Sequence, residues 1–363
     1  MAVFPESETQ GARRAGADAV SAPEVYAALD LGTNNCRLLI AKGAAGGFEV
    51  IDAFSRIVRL GEGVSRSGRL SEAAMARTLK ALRICAGKIR RNRVTRVRAV
   101  ATEACRRARN RDAFLARVFH TTGLELEIIA TDEEARLAIH GCAQLLDPEV
   151  PQALVFDIGG GSTELGWTTL ADTRGRRRGM GGLHLEGWES IPTGVVALSE
   201  RHGGRQVGPE TYEIMIAEMR AALAPFEAKH SLAPLIAAGQ VQMLGTSGTV
   251  TTLVGVHKRL PRYDRAQVDG SYLKFGTVRS LTRRIAAMSY RTRVEHPCIG
   301  PERADLVIAG CAIVEAVCAT WPVGRLRVAD RGLREGILHL LIAGSGDPNA
   351  KAQGSRDLAA SLT

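Results

Sequence analysis

One short device occurs twice in this sequence, and it constrains the fold more than any other feature of the chain. An apolar run ends in Asp-x-Gly, passes through a tip of small or amide residues, and returns as a second apolar run. The copies are YAALDLGTNNCRLLIAKG and ALVFDIGGGSTELGWTTL, so that Asp30-Leu31-Gly32-Thr33-Asn34-Asn35 matches Asp157-Ile158-Gly159-Gly160-Gly161-Ser162. Each reads as two strands joined at a tight corner. A repeated hairpin predicts a duplicated architecture whose two loops face each other across a cleft. A length of 363 residues suits the two domains this needs.

The rest of the chain fits a mixed α/β reading. After the first hairpin the pattern predicts a strand at Phe48–Phe54 and a Gly-rich loop. A helix capped by Ser71 follows, with Met75, Leu79, Leu82, Ala86 and Ile89 on one face. Next come a strand over Val94–Ala101, a helix over Asp112–Thr121, a strand over Glu125–Ala130 and a helix over Asp132–Leu146. Beyond the second hairpin, VQMLGTSGTVTTLVG reads as a strand running through a Gly-rich turn into a helix. PERADLVIAGCAIVEAVCA reads as a buried helix with Pro301 in its first turn. LRVADRGLREGILHLLIA supplies a last strand, turn and helix. Residues 1–23 and 345–363 lack periodicity and are expected to be flexible tails.

Composition narrows the class. With 45% hydrophobic and 24% charged residues, general disorder is excluded. The net charge of +10 favours polyanionic substrates or partners. Seven cysteines without C-x-x-C or finger spacing suggest neither a disulfide framework nor a zinc site. Neither a signal peptide nor a run approaching the roughly 20 apolar residues of a membrane span is recognisable. A cytoplasmic protein with no membrane partner is the expectation.

Three Gly-rich corners carry the chemistry: Gly32, Thr33, Asn34 and Asn35; Gly159, Gly160, Gly161, Ser162 and Thr163; and Gly245, Thr246, Ser247, Gly248 and Thr249. Backbone N–H groups unobstructed by Cβ atoms can converge there on phosphate oxygens. A single corner could be a plain tight turn. Two of them, however, carry an aspartate at the strand end, Asp30 and Asp157, with hydroxyl or amide side chains at the tip. Together they favour phosphate binding.

These three segments, in this order, resemble the exopolyphosphatase / guanosine pentaphosphate phosphohydrolase (Ppx/GppA) family, and ATDEEARLAIHG and ADRGLREGIL fit it too. The resemblance covers about Tyr26 to Ala343. It implies two actin-like, RNase H-like α/β domains of the hexokinase and heat-shock chaperone superfamily around a cleft. The first is expected over residues 24–136, completed by the helix at 332–344, and the second over 137–331. It also implies metal-dependent hydrolysis of a terminal phosphate, with Glu134 as general base, Arg106 on the transferred phosphate, and Asp157 and Glu164 holding Mg²⁺. Asp30 shares the dual reading of turn residue and ligand. Glu134 also closes a Thr-x-x-Glu capping box with Thr131, and catalysis is preferred to capping only because of the resemblance. Glu133 is left to the helix terminus.

Inorganic polyphosphate is the expected substrate, and guanosine pentaphosphate the alternative. An actin-like nucleotide switch and a basic RNA-binding module are rivals of other classes. No stable nucleic-acid partner is expected, and a homodimer is left open. The polyphosphate preference rests on ten basic residues against one acid, Glu103, between Lys88 and Arg111, read as a polyanion track without aromatic stacking platforms. The sequence departs from the family pattern at Thr33 and Asn35, where serines are common, and at Ala130-Thr131, where Ser-Gly is common. It ends without the helical C-terminal region of longer members, which leaves processive grip on long polymers open.

Overall fold

The computed structural model describes residues 24–44, 47–170 and 183–344; both expected tails lie outside these residues. Strands β1 (Val25–Leu31), β2 (Asn35–Ala44), β3 (Gly47–Ile57), β4 (Arg96–Ala101) and β5 (Glu127–Ile128) form a five-stranded sheet in the order β3-β2-β1-β4-β5. Strands β6 (Gln152–Ile158), β7 (Thr163–Leu170), β8 (Leu183–Ile191), β9 (Val241–Thr246), β10 (Tyr272–Lys274) and β11 (Arg325–Ala329) form the second, in the order β10-β11-β9-β6-β7-β8. Without β10 the two orders are the same, and so are the directions. The first three strands of each sheet run antiparallel, and the fourth and fifth run parallel to the central one.

The duplication reaches below topology. Asp30 stands opposite Arg37 in the β1–β2 hairpin, and Asp157 opposite Glu164 in the β6–β7 hairpin. The register slips once in each outer pair, between Ile40 and Ala41 and between Trp167 and Thr168, at corresponding points of the two copies. These are two actin-like α/β domains. The central strands β1 and β6 are almost wholly buried because helices cover both faces, which is why they read as continuous apolar runs.

Helix Glu72–Arg91 begins as expected, with Ser71 Oγ accepting from Ala74 N at 3.2 Å. Its apolar face joins Leu29, Leu31 and Leu38 in one core. The opposite face of the first sheet is covered by the C-terminal helix Leu333–Gly344, whose Leu333, Ile337 and Leu338 pack on Tyr26, Ala28 and Leu39. Helix Thr131–Cys142 lies against that C-terminal helix so closely that a Cβ on Gly336 would stand 2.0 Å from Leu137 O, and one on Gly141 1.9 Å from Gly332 O. Leu137 of this helix belongs to the first core, and Ile139 and Cys142 pack with Val155 and Leu244 of the second sheet. The division expected after residue 136 therefore falls inside an element that serves both halves.

Three local expectations change. The strand expected over Glu125–Ala130 pairs only at Glu127–Ile128. The helix expected to reach Leu146 ends at Cys142 and tightens into a 3₁₀ turn, Ala143–Leu145. The helix expected to begin around Pro301 begins at Val307. Residues 301–306 are turns instead, held by Arg303 N to Gly300 O and Leu306 N to Arg303 O. All seven cysteines are buried and free. No helix among the described residues is long and apolar enough to cross a membrane.

Candidate active site

Both hairpin tips close in the same way, Gly32 N donating to Asn35 O and Gly159 N to Ser162 O, each at 2.9 Å. The tips meet across the cleft: a Cβ on Gly160 would lie 3.1 Å from Asn34 N. Around them one pocket gathers Asp30, Gly32, Thr33, Asn34 and Asn35 from the first half, and Asp157, Gly159, Gly160, Gly161, Ser162 and Glu164 from the second. Glu134, Ser247, Gly248 and Thr249 complete its expected wall.

Four expected residues do not line it. Thr163 is buried and its Oγ1 donates to Thr193 O at 2.7 Å. Gly245 lies under Phe156, whose Cζ would be 2.4 Å from an added Cβ. Thr246 Oγ1 donates to Arg331 O at 2.6 Å, tying β9 to the turn before the C-terminal helix. Arg106 stands behind the wall. The third corner is also partly committed, since Ser247 Oγ accepts from Thr249 N at 3.0 Å and Val250 N at 3.3 Å to cap the helix Gly248–His257.

The carboxylates are crowded and dry. Burial pushes Asp157 up to about 7, helped by Glu134 and Asp30 and opposed by Arg37. Burial and then Asp157 push Glu164 up to about 7, while hydroxyls of Ser162 and Ser190 bonded to its Oε1 pull the other way. Asp30 is raised by burial against the pull of Arg37 and Arg334. Glu134 is held well above the usual range by burial and by Glu164, with Arg106 opposing. Acids forced together in this way favour a proton or a cation. Asp157 and Glu164 face each other in register, and Asp157 forms no ion pair among the described residues. No group of three or more His, Cys, Asp or Glu side chains converges on a metal position among those residues. Two hard oxygen donors fit Mg²⁺, which keeps waters and takes substrate phosphates to complete its shell.

The capping box that rivalled the catalytic reading of Glu134 does not form. The N-cap of its helix is Ala130, with no side-chain cap, and Glu133 pairs instead with Arg98. The Glu134 side chain turns to the pocket, where its Oε2 accepts from Arg106 Nη1 at 2.7 Å. Arg106 is held from its other edge by Glu103 Oε2, at 3.3 Å from Nε and 3.1 Å from Nη2, and by Ile129 O at 2.9 Å from Nη1.

Sequence reasoning missed two pocket arginines. Arg37 enters from β2, and Arg303 from the turns that precede the helix Val307–Thr320. Neither forms an ion pair among the described residues; Arg303 Nη1 only donates to Thr252 Oγ1 at 3.1 Å. Burial and the nearby Arg37 hold the Arg303 guanidinium below its usual range. Two guanidinium groups without ion pairs among the described residues, in one pocket with both Gly-rich tips, suit an anion. Arg37 was recoverable by pairing the hairpin around its tip, which sets it opposite Asp30. For Arg303 no local signal exists.

The basic run is not one track. β4 runs parallel to β1 with Arg96 beside Tyr26 and Ala101 beside Leu31, so Lys88 to Arg96 stand at the end of the sheet away from the loops. At strand rise this is about 17 Å from the pocket end. Within the run Lys88 is paired with Asp52, Arg98 with Glu127 and Glu133, and Arg106 with Glu103 and Glu134.

The chain is similar to known proteins in both sequence and fold. The model of the Ppx/GppA phosphatase family matches residues 39–342. Exopolyphosphatase 2 of Mycobacterium tuberculosis (strain CDC 1551 / Oshkosh) is 31% identical over 326 residues, which cover 86% of this chain and 96% of that protein. The crystal structure of the Aquifex aeolicus member of the Ppx/GppA family superposes with a TM-score of 0.71 at 28% identity, covering 89% of this chain and 99% of that one. An exopolyphosphatase from Cytophaga hutchinsonii shares the fold, with a TM-score of 0.77 at 23% identity over 88% of this chain and 98% of that one.

Proposed function

The chain belongs to the Ppx/GppA phosphatase family, and from that premise we propose that it is an exopolyphosphatase, hydrolysing the terminal phosphate of inorganic polyphosphate with Mg²⁺. The observation that carries this reading is the charge layout of one pocket. Arg37 and Arg303, without ion pairs among the described residues, line the same pocket as the tips Gly32–Asn35 and Gly159–Ser162 and the carboxylates of Asp30, Glu134, Asp157 and Glu164. A phosphate chain brings the anions the arginines lack. Asp157 and Glu164 would hold Mg²⁺, which when bound offsets the charge of the phosphate oxygens. The loop amides and arginines orient the terminal phosphate, and Glu134 orients and deprotonates a water for in-line attack. Arg106, outside the pocket lining and bonded to Glu134 and Glu103, keeps the Glu134 carboxylate aimed at the pocket. No covalent intermediate is needed.

One observation favours guanosine pentaphosphate as a second substrate. A groove that shares Glu103 with the pocket is lined by the exposed indole of Trp188 and by Lys229, a surface on which a base can stack. Phosphate release should therefore be compared on long polyphosphate, tripolyphosphate and guanosine pentaphosphate, with Mg²⁺ and with chelator. Fastest release from polyphosphate, abolished by chelator and restored by Mg²⁺, is expected. Release from the nucleotide alone would reverse the order of substrates, and full activity after exhaustive chelation would remove the metal.

A further inference from the structure

The pocket is made of two halves, and something must hold the arginine of one against the phosphate loop of the other. We propose that Arg59 is a positioning residue that couples the first phosphate loop to Arg303 across the cleft, acting through Asp305. Arg59 lines no part of the pocket itself. The inference rests on the phosphate-binding reading of that pocket.

The main chain of Arg59 belongs to the first loop. Val58 N and Arg59 N both donate to Asn34 O, at 2.8 and 3.0 Å, and Gly61 N donates to Thr33 O at 2.9 Å. Its side chain belongs to the other half. Nη1 and Nη2 donate to the two carboxylate oxygens of Asp305 at 2.8 and 3.1 Å, the fork geometry that fixes both partners in orientation as well as distance. Asp305 is two residues from Arg303, in the same turns, and its own carbonyl accepts from Ser199 Oγ at 2.8 Å. The position of these turns thus depends on what grips Asp305 together with Arg293, whose Nε donates to Ala304 O at 2.8 Å.

Two features set this pair apart from a surface ion pair. Arg59 has φ of 48°, a left-handed conformation that a side-chain-bearing residue holds only when its surroundings dictate it. The loop is also braced from behind, Arg77 donating from Nε to Val58 O at 3.0 Å and from Nη2 to Arg59 O at 3.3 Å. Alongside, Gly63 N donates to Glu200 Oε1 at 2.9 Å. Arg77, Arg59, Asp305 and Arg303 form one mechanical line from the helix Glu72–Arg91 to the pocket.

The test is a double-mutant cycle read by calorimetric binding of inorganic tripolyphosphate. Arg59→Gly removes the guanidinium, keeps the loop N–H groups and suits the positive φ; Asp305→Asn keeps shape and removes charge. Each should weaken binding about tenfold, and in an Arg303→Ala background each should weaken it by less than about twofold, as residues acting through one partner do. Arg59→Lys, which cannot make the fork, should fall between. Undiminished binding in both single variants, or the full loss persisting without Arg303, would overturn the proposal. Phosphate release by the parent is measured separately: its failure removes the enzymatic reading and leaves the binding cycle to decide the coupling.

Discussion

Arg106 Nη1 donates to Glu134 Oε2 at 2.7 Å, so the candidate base carries its counter-cation before any substrate arrives. Glu134→Gln keeps the side chain's shape and removes the base. Turnover should fall by about 10²–10⁴, while tripolyphosphate binding and the melting temperature stay near those of the parent. Near-normal turnover would leave Glu134 a purely structural partner of Arg106.

Asp157 and Glu164 make stability depend on pH. Both are pushed up to about 7, from ordinary values of 3.8 and 4.5, so folding takes up protons at both. In metal-free solution stability should be highest below the ordinary carboxylate range and be lost as pH climbs through that range to about 7, levelling above it. Mg²⁺ should restore the loss at high pH and do little at low pH. Melting curves across pH with chelator and with Mg²⁺ check this, and a flat metal-free profile would contradict it.

The second phosphate loop is seated on the start of the helix Val195–His202, where Val195 N donates to Gly159 O at 3.0 Å and Val196 N to Gly160 O at 2.8 Å. A Cβ on Gly194 would stand 2.5 Å from both Gly159 O and the Gly160 carbonyl carbon, so Gly194→Ala has to push the loop toward the pocket. KM for polyphosphate should rise at least about tenfold, the scale on which displaced binding groups act. An unchanged KM would mean that the loop does not hold substrate.

Arg90, Arg91 and Arg93 stand at the far end of β4 from the loops. Neutralising all three should leave KM for tripolyphosphate within about twofold of the parent in moderate salt, since screening acts over ~8–10 Å. A marked rise with this short substrate would restore the basic run as part of the site.

How much of this was legible follows the range of each interaction. The two hairpins, with Asp30, Asp157 and Glu164, were readable because tip, strand and pairing lie within a few residues of one another. Arg303 was not, because its place in the pocket depends on turns packed against a distant helix and on a carboxylate gripped from the other half. The basic run was misjudged because linear density does not say which end of a strand a charge occupies. Residues 301–306 form turns rather than a helix start because Arg293, itself buried, donates from Nε to Ala304 O at 2.8 Å, a long-range bond invisible to periodicity. Thr163, Gly245 and Thr246 had the right composition and lie beside the pocket, but their atoms are spent on packing and on holding neighbouring turns.

The matching register slips in the two sheets make Arg37 and Glu164 equivalent positions of the repeated hairpin. A site built from two like copies begins with a twofold ambiguity, because a linear phosphate polymer could lie across it in either sense. A base at one position and an acid at its counterpart break that symmetry. On the proposed reading, a bound polymer meets a guanidinium at one of these positions and a carboxylate at its counterpart, so its two senses are no longer equivalent. One pair of side chains at matching places in a repeated hairpin is thus enough to give a near-symmetric cleft a direction.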